Sequence, residues 1–337
     1  MRKNLSEGSC FFLIKIENFY QKKQLPSKEL LPARFLSVAK NSALYVMSSI
    51  CYHLSLTYKT IIMSNVLSNP THDIGIALSG GGAKGIAHIG VLRALLENDI
   101  HPTIVSGTSA GSIIGVLYAS GMPPNDMEKF VMDSSFIKIF RVVGIPGAGF
   151  VRLDYLKERL SEFIKTDNFD ALKHELYICA TNLNYGRPVH FNEGTLFDKV
   201  MASCSVPWLF KPMKIDGHLY ADGGITNNLP AQIIRPKCRI LIGSNVKPKV
   251  IVQSNEELDS FMGITQRCAD LSLWTNSKPN IKALDIYIAP EKIHEFSFFN
   301  VRKTHELTAL GYEETIRLMP KIKEVIATKT ESDFFLA

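Results

Sequence analysis

Thr103-Ile104-Val105-Ser106-Gly107-Thr108-Ser109-Ala110-Gly111-Ser112 decides how this chain is read. Thr103 to Val105 is a short β-like run, and Ser112 to Ala119 is a helix-like one. Between them a serine stands at the apex of a turn, with Gly107 and Gly111 two residues to either side. Strand, tight turn and helix with this spacing is the layout of a nucleophile elbow. The requirement is steric: the serine needs a strained backbone that lifts Oγ clear of the sheet, and the flanking backbones then pass too close for side chains. Gly and Ser are also ordinary turn formers, so the pentapeptide alone does not separate an elbow from a small-residue turn.

Upstream, Ile74 to Leu78 is an apolar run long enough for a buried strand. It is followed by Gly80-Gly81-Gly82-Ala83-Lys84-Gly85 and then by Ile86, Ile89, Val91, Leu92, Leu95 and Leu96 at helical spacing. The order strand, loop, helix, strand, elbow, helix implies an α/β sheet with two special loops at the carboxyl ends of adjacent strands, where ligands bind. The glycine loop contains G-x-G-x-x-G, but the second strand runs into Ser106 to Ser109 without the acidic residue that would hold a ribose. Lys84 is followed by Gly85 rather than Ser or Thr, so the P-loop pattern fails as well. In a hydrolase the same loop has another use. Consecutive glycines at a helix N-terminus gather N–H groups into one concavity, an oxyanion hole. Lys84 adds positive charge there or is solvated at the helix start, and the residues favour the second.

A serine hydroxyl needs a base. His294 and His305 follow Asp222 in the Ser…Asp…His order of a common hydrolase, but neither sits beside a turn signal or a paired acid. His88 falls in the helix after the glycine loop, where packing explains it. Asp222 ends the short strand Gly217 to Ala221 and is followed by Gly223 and Gly224, which let its backbone turn close to another loop. Ala202-Ser203-Cys204-Ser205-Val206-Pro207-Trp208-Leu209-Phe210-Lys211-Pro212 comes shortly before, and Asn227-Asn228-Leu229-Pro230 just after.

With these four blocks in order, residues from about 73 to 230 resemble the patatin-like phospholipases. The resemblance implies a three-layer α/β/α sandwich with a mainly parallel central sheet, a variant of the α/β-hydrolase theme. It also implies a Ser–Asp dyad without a catalytic histidine. Carried over by position, Ser109 is the nucleophile and Asp222 the base. Gly80, Gly81, Gly82 and Lys84 form the oxyanion loop, while Gly107, Gly111, Gly223 and Gly224 support the elbow and the dyad loop. The substrate implied is a lipid ester, phospholipid or lysophospholipid, cleaved through an acyl-enzyme. Asn182, after Ala180-Thr181, departs from an acidic residue expected in the family.

Composition fits this reading. The chain has 337 residues, 46% apolar and 21% charged, with a formal charge of +6. Residues 1–62 hold nine Lys and Arg against three Glu, so the remainder is balanced, which argues against nucleic acid as a partner. Six scattered cysteines without C-x-x-C or zinc-like His spacing suggest a reduced, cytoplasmic chain with no metal or cofactor. Residues 63–330 are expected to be the hydrolase domain and 331–337 a tail. Residues 1–62 are expected to be a basic extension: disordered, upstream of a natural start at Met63, or an amphipathic segment in peripheral contact with membrane. Ser42 to Met63 carries His53 and Lys59 and is not expected to span a membrane. Further helices are expected at Asp126 to Met132, Leu153 to Phe163, Leu196 to Ala202 (capped by Thr195), Glu256 to Leu273 and Val301 to Met319, the last stopped by Pro320. Strands are expected at Leu176 to Ala180, Pro188 to Phe191, Arg239 to Ile242 and Ala283 to Ile288. Phe136 to Phe150, as a cap, and Phe296 to Phe299 line an acyl channel or belong to the core.

Overall fold

A computed structural model describes residues 70–132, 153–207, 209–248, 254–255 and 258–334. The basic segment 1–62 and the stretch 136–150 therefore lie outside the described residues. Within them the elements are β1 (His72–Leu78), α1 (Ala87–Leu96), β2 (Ile104–Thr108), α2 (Ala110–Ala119), α3 (Pro124–Met132), α4 (Asp154–Phe163), β3 (Glu175–Asn182), β4 (Arg187–Phe191), α5 (Phe197–Ser203), β5 (Met213–Ile215), β6 (His218–Asp222), β7 (Cys238–Ser244), α6 (Phe261–Ile281), β8 (Ile286–Ile288) and α7 (Thr304–Phe334).

The strands form one mixed eight-stranded sheet. β8, β7, β1, β2 and β3 are parallel neighbours, β4 and β6 pair antiparallel with β3, and β5 pairs antiparallel with β6. Continuous apolar strands are what burial on both faces demands. Alternate residues separate the faces: Ile74, Ile76 and Leu78 of β1 join Leu92, Leu95, Leu117, Phe130, Leu160 and Ile322 in the larger core. Ala77, Ile104, Tyr177 and Leu241 meet Leu229, Ile234, Ile281 and Leu284 on the other side. The sandwich is thus uneven, with most helices on one face and the end of α6 on the other.

α7 runs through Pro320 instead of stopping there. The ring removes one main-chain hydrogen bond, but Thr304, Leu307, Thr308, Thr315, Met319 and Ile322 form a buried stripe that continues past it. Packing of the second half offsets the proline's cost. α6 also begins and ends later than its apolar pattern suggests, because Ser260 Oγ accepts the Gly263 N–H at 2.9 Å and caps it. At α5 the expected Thr195 cap is replaced by a distant one: Asp167 Oδ1 accepts the N–H groups of Leu196 and Phe197, both at 2.7 Å. β8 is shorter than expected, and β5, too brief to leave a sequence signal, pairs with β6.

Candidate active site

β3 is the element that brings the parts together. β2 pairs with it up to Thr108 opposite Cys179, and β6 pairs from Asp222 opposite Ala180. β4 overlaps both of these registers, so it occupies the opposite edge, and β2 and β6 share one edge end to end. Ser109 leaves the sheet where β2 stops, and Asp222 arrives one β3 residue further on. Residues 113 positions apart in sequence become neighbours through two ladders on one strand edge.

Ser109 adopts φ 52° and ψ −124° immediately before α2. That conformation is costly for a residue with a Cβ and persists only where the surroundings hold it. They do: the Ser109 N–H donates to Ser203 Oγ at 2.8 Å, and Ser203 Oγ donates to the Cys179 carbonyl at 2.6 Å. The Ser109 carbonyl accepts from the Ser112 hydroxyl at 2.6 Å and from the Ser112 N–H at 2.8 Å. A side chain at Gly107 would be driven into the Gly111 carbonyl, and one at Gly111 into the Leu78 carbonyl. Both glycines are therefore required by the close crossing of strand and helix.

Asp222 is buried, and its Oδ1 accepts the Gly224 N–H at 2.7 Å. Its own backbone is held by the Ser205 carbonyl and the Thr181 hydroxyl. A side chain at Gly223 would collide with the Cys179 carbonyl. Burial pushes the carboxyl up to about 6, opposed first by the Ser109 hydroxyl and then by the Gly224 N–H. Asp222 Oδ2 is buried and reaches no partner at hydrogen-bonding geometry.

The glycine loop divides its labour. Gly80 donates its N–H to the Asn228 carbonyl at 3.1 Å, so this amide is already used. The N–H groups of Gly81 and Gly82 find no acceptor among the described residues, and Ala83 donates to the Phe298 carbonyl at 2.9 Å. Gly82 has φ 59°, and a side chain there would enter the Phe298 ring. Phe298 therefore packs against the loop, while Phe299 is largely exposed. His88 lies fully buried beneath, its Nε2 2.9 Å from the Ser79 carbonyl and its Nδ1 2.7 Å from Ser244 Oγ, and burial lowers its pKa to about 4. A neutral imidazole braces the loop.

Lys84 is not solvated at the helix start but buried, and burial, followed by Lys247, lowers its ammonium to about 8 against a smaller opposing pull from Asp270. Lys247 pairs with Asp270. Both lysine stems flank Gly81, with Lys84 Cβ and Lys247 Cγ each 3.7 Å from where a Cβ would stand. The two histidines of the alternative triad are elsewhere engaged. His305 pairs with Glu128 at 2.7 Å, and His294 lies 2.7 Å from the Glu291 carbonyl. Asn182, at the position expected to be acidic, accepts the N–H groups of Asn184 and Tyr185 and closes the β3–β4 turn.

Two supports carry no local sequence signal. Asn276 of α6 donates to the Gly224 carbonyl at 2.7 Å and accepts the Asn228 N–H at 2.8 Å. Asn280, one turn on, donates to Asn227 Oδ1 at 3.1 Å. Their spacing only becomes meaningful once α6 lies on the loop that follows Asp222. No described helix is long and apolar enough to cross a membrane.

The family model described as patatin-like phospholipase matches residues 76–234, a span that contains Ser109, Asp222 and the glycine loop. An uncharacterized NTE family protein of Mycobacterium tuberculosis is 31% identical over 159 residues, covering 47% of this chain and 44% of that protein. Lysophospholipase nte1 of Aspergillus fumigatus is 32% identical over 161 residues, covering 46% and 11%. The chain thus spans less than half the length of these relatives. Among solved structures, VipD of Legionella pneumophila aligns with a TM-score of 0.40 at 19% identity, covering 71% of this chain and 67% of that one.

Proposed function

We propose, from the premise that residues 76–234 belong to the patatin-like phospholipase family, that this protein hydrolyses lipid esters through a Ser109–Asp222 dyad. The observation that carries the reading is the shared β3 edge, which sets a strained, buried serine beside a buried carboxylate. An aspartate of ordinary pKa is a poor base toward a hydroxyl, and the raised value of about 6 brings Asp222 nearer to its task.

In the acylation step Ser109 Oγ attacks the ester carbonyl and gives its proton to Asp222. The charge developing on the carbonyl oxygen meets the free N–H groups of Gly81 and Gly82 at the start of the 3-10 turn Gly82–Ile86. Each such donor is worth about 3 kcal/mol of barrier. The alcohol or lysolipid leaves with the proton from Asp222, and water then releases the fatty acid. Lys84 and Lys247 place positive charge beside this loop, which favours an anionic lipid over a neutral ester. The lipid class of the substrate follows from the family, and the NTE-type relative named a lysophospholipase points the same way.

The test is labelling by a fluorophosphonate together with turnover of a lysophospholipid. Wild type should label at Ser109 and turn over, while Ser109→Ala should do neither. Labelling that survives in Ser109→Ala would refute the assignment. The Ser-His-Asp alternative predicts that His294→Ala or His305→Ala abolishes turnover; the dyad predicts that both keep it.

A further inference from the structure

Resting on the dyad reading, we propose that the Asn228 carboxamide binds the hydrolytic water against Asp222 for release of the acyl group. Asn228 is 1% exposed, yet neither its Oδ1 nor its Nδ2 has a hydrogen-bond partner. Leaving a buried polar atom unpaired is costly, so such groups require a reason. Its neighbour Asn227 shows what a structural asparagine does here: Oδ1 accepts from Asn280, and Nδ2 lies 3.2 Å from His190 Nε2. The backbone of Asn228 is equally settled, with its N–H on Asn276 Oδ1 and its carbonyl on Gly80. Only its side chain is held in reserve.

The position of that side chain is specific. A Cβ at Gly80 would stand 2.7 Å from Asn228 Oδ1 and 3.2 Å from Ser109 Cβ. A Cβ at Gly224 would stand 3.2 Å from Asn228 Oδ1 and 2.9 Å from Asp222 Oδ1. The carboxamide therefore lies between the serine and the carboxylate, across two residues that carry no side chain. Asp222 Oδ2 is likewise unpaired, so three of the seven buried orphan side-chain atoms among the described residues belong to this pair. A carboxylate acceptor and a carboxamide facing one space suit a small molecule with two O–H donors.

The chemistry balances. Water donates one O–H to Asn228 Oδ1 and the other to Asp222 Oδ2. Its lone pair forms a bond to the acyl carbon of the Ser109 ester as Asp222 takes the proton. The tetrahedral carbon then breaks its bond to Ser109 Oγ, which recovers the proton from Asp222, and the free fatty acid departs. Asn228 thus touches a reactant of the second step and has no part in the first.

The experiment separates the two steps with a p-nitrophenyl fatty ester on the full chain. In Asn228→Ala and in the near-isosteric Asn228→Leu, release of one equivalent of nitrophenol should stay fast while steady turnover falls about 10- to 100-fold. Intact mass should show an acyl group accumulating on Ser109, and fluorophosphonate labelling, which reports only the first step, should stay within about threefold of wild type. Asn228→Leu should also melt no lower than wild type, because it removes unpaired polar atoms. Unchanged turnover in either variant, or burst and steady turnover falling in parallel, overturns the proposal. Persistence of turnover in Ser109→Ala would instead overturn the dyad reading, so the two failures are distinguishable.

Discussion

Glycine builds two crowded places in this molecule, and it serves opposite ends in them. Where α1 crosses α7, a side chain at Gly90 would strike the Thr308 carbonyl, and one at Gly311 the Ala87 carbonyl. The two helices meet backbone to backbone, and around them the core is sealed by Ile89, Val91, Leu307 and Ile322. Around Ser109 and Asp222, Gly107, Gly111 and Gly223 permit equally close approaches, but what they enclose is unsettled. A serine sits in a strained conformation, a carboxyl is raised by burial, and carboxylate and carboxamide atoms lack partners. The crossing also buries an unpaired atom, Thr308 Oγ1, but Ser109 and Asp222 add backbone strain and a raised carboxyl to theirs. The second arrangement has value only if a reactant completes it, which ties the strain to function.

The largest effects should fall on the cleft and spare stability. Ser109→Ala should lower turnover about 10⁴-fold or more, measured with a lysophospholipid, while leaving the melting temperature unchanged or higher. Asp222→Asn should cost about 10³-fold in turnover and stabilise the fold at neutral pH. The sign follows from the raised carboxyl: folding favours the protonated form, so that stabilisation is complete below the ordinary value of 3.8 and is lost as pH rises through about 6. Above pH 6 the variant should gain on the order of 2–3 kcal/mol over wild type, shrinking toward zero below pH 4, as urea titrations at both ends will show.

Gly81→Ala tests the middle of the range. Its Cβ would stand 2.6 Å from Val246 Cγ2, so the loop must shift, and turnover should drop about 10²-fold with little change in melting. At the helix crossing the pattern should invert. Gly90→Ala should destabilise by about 3 kcal/mol, read by urea denaturation, with per-molecule activity of the folded fraction retained. A Gly90→Ala protein that is stable but inactive would erase the contrast between the two regions. The smallest effect is at Pro320, exposed within α7, where Pro320→Ala should raise stability by about 1–3 kcal/mol without touching turnover.

How much of this was legible beforehand depends on the range of the forces concerned. The elbow, the glycine loop and the Asp222 turn are local devices, and steric demands write themselves into short motifs. Hence Ser109 and Asp222 stand out as candidates in the chain itself. The end-to-end sharing of the β3 edge does not, because strand pairing across more than a hundred residues leaves no local trace. The same holds for the caps and braces supplied from afar. Asp167 displaces Thr195 at the start of α5, and Asn276 anchors Gly224 from a helix 52 residues downstream. The burial of Lys84 is not legible in the chain, because nothing in its local sequence announces that Lys247 comes beside it. Pro320 shows the converse: its local signal is strong, but buried Ile322 beyond it outweighs it.

In the proposed dyad Asp222, and no histidine, takes the proton from Ser109. The most direct measurement is the pH dependence of the fluorophosphonate labelling rate in wild type, Asp222→Asn and the doubly substituted His294→Ala/His305→Ala protein. The dyad predicts a rise with pH centred near 6 in wild type, the same rise in the histidine variant, and slow labelling without that inflection in Asp222→Asn. An inflection that survives in Asp222→Asn and disappears in the histidine variant would contradict it.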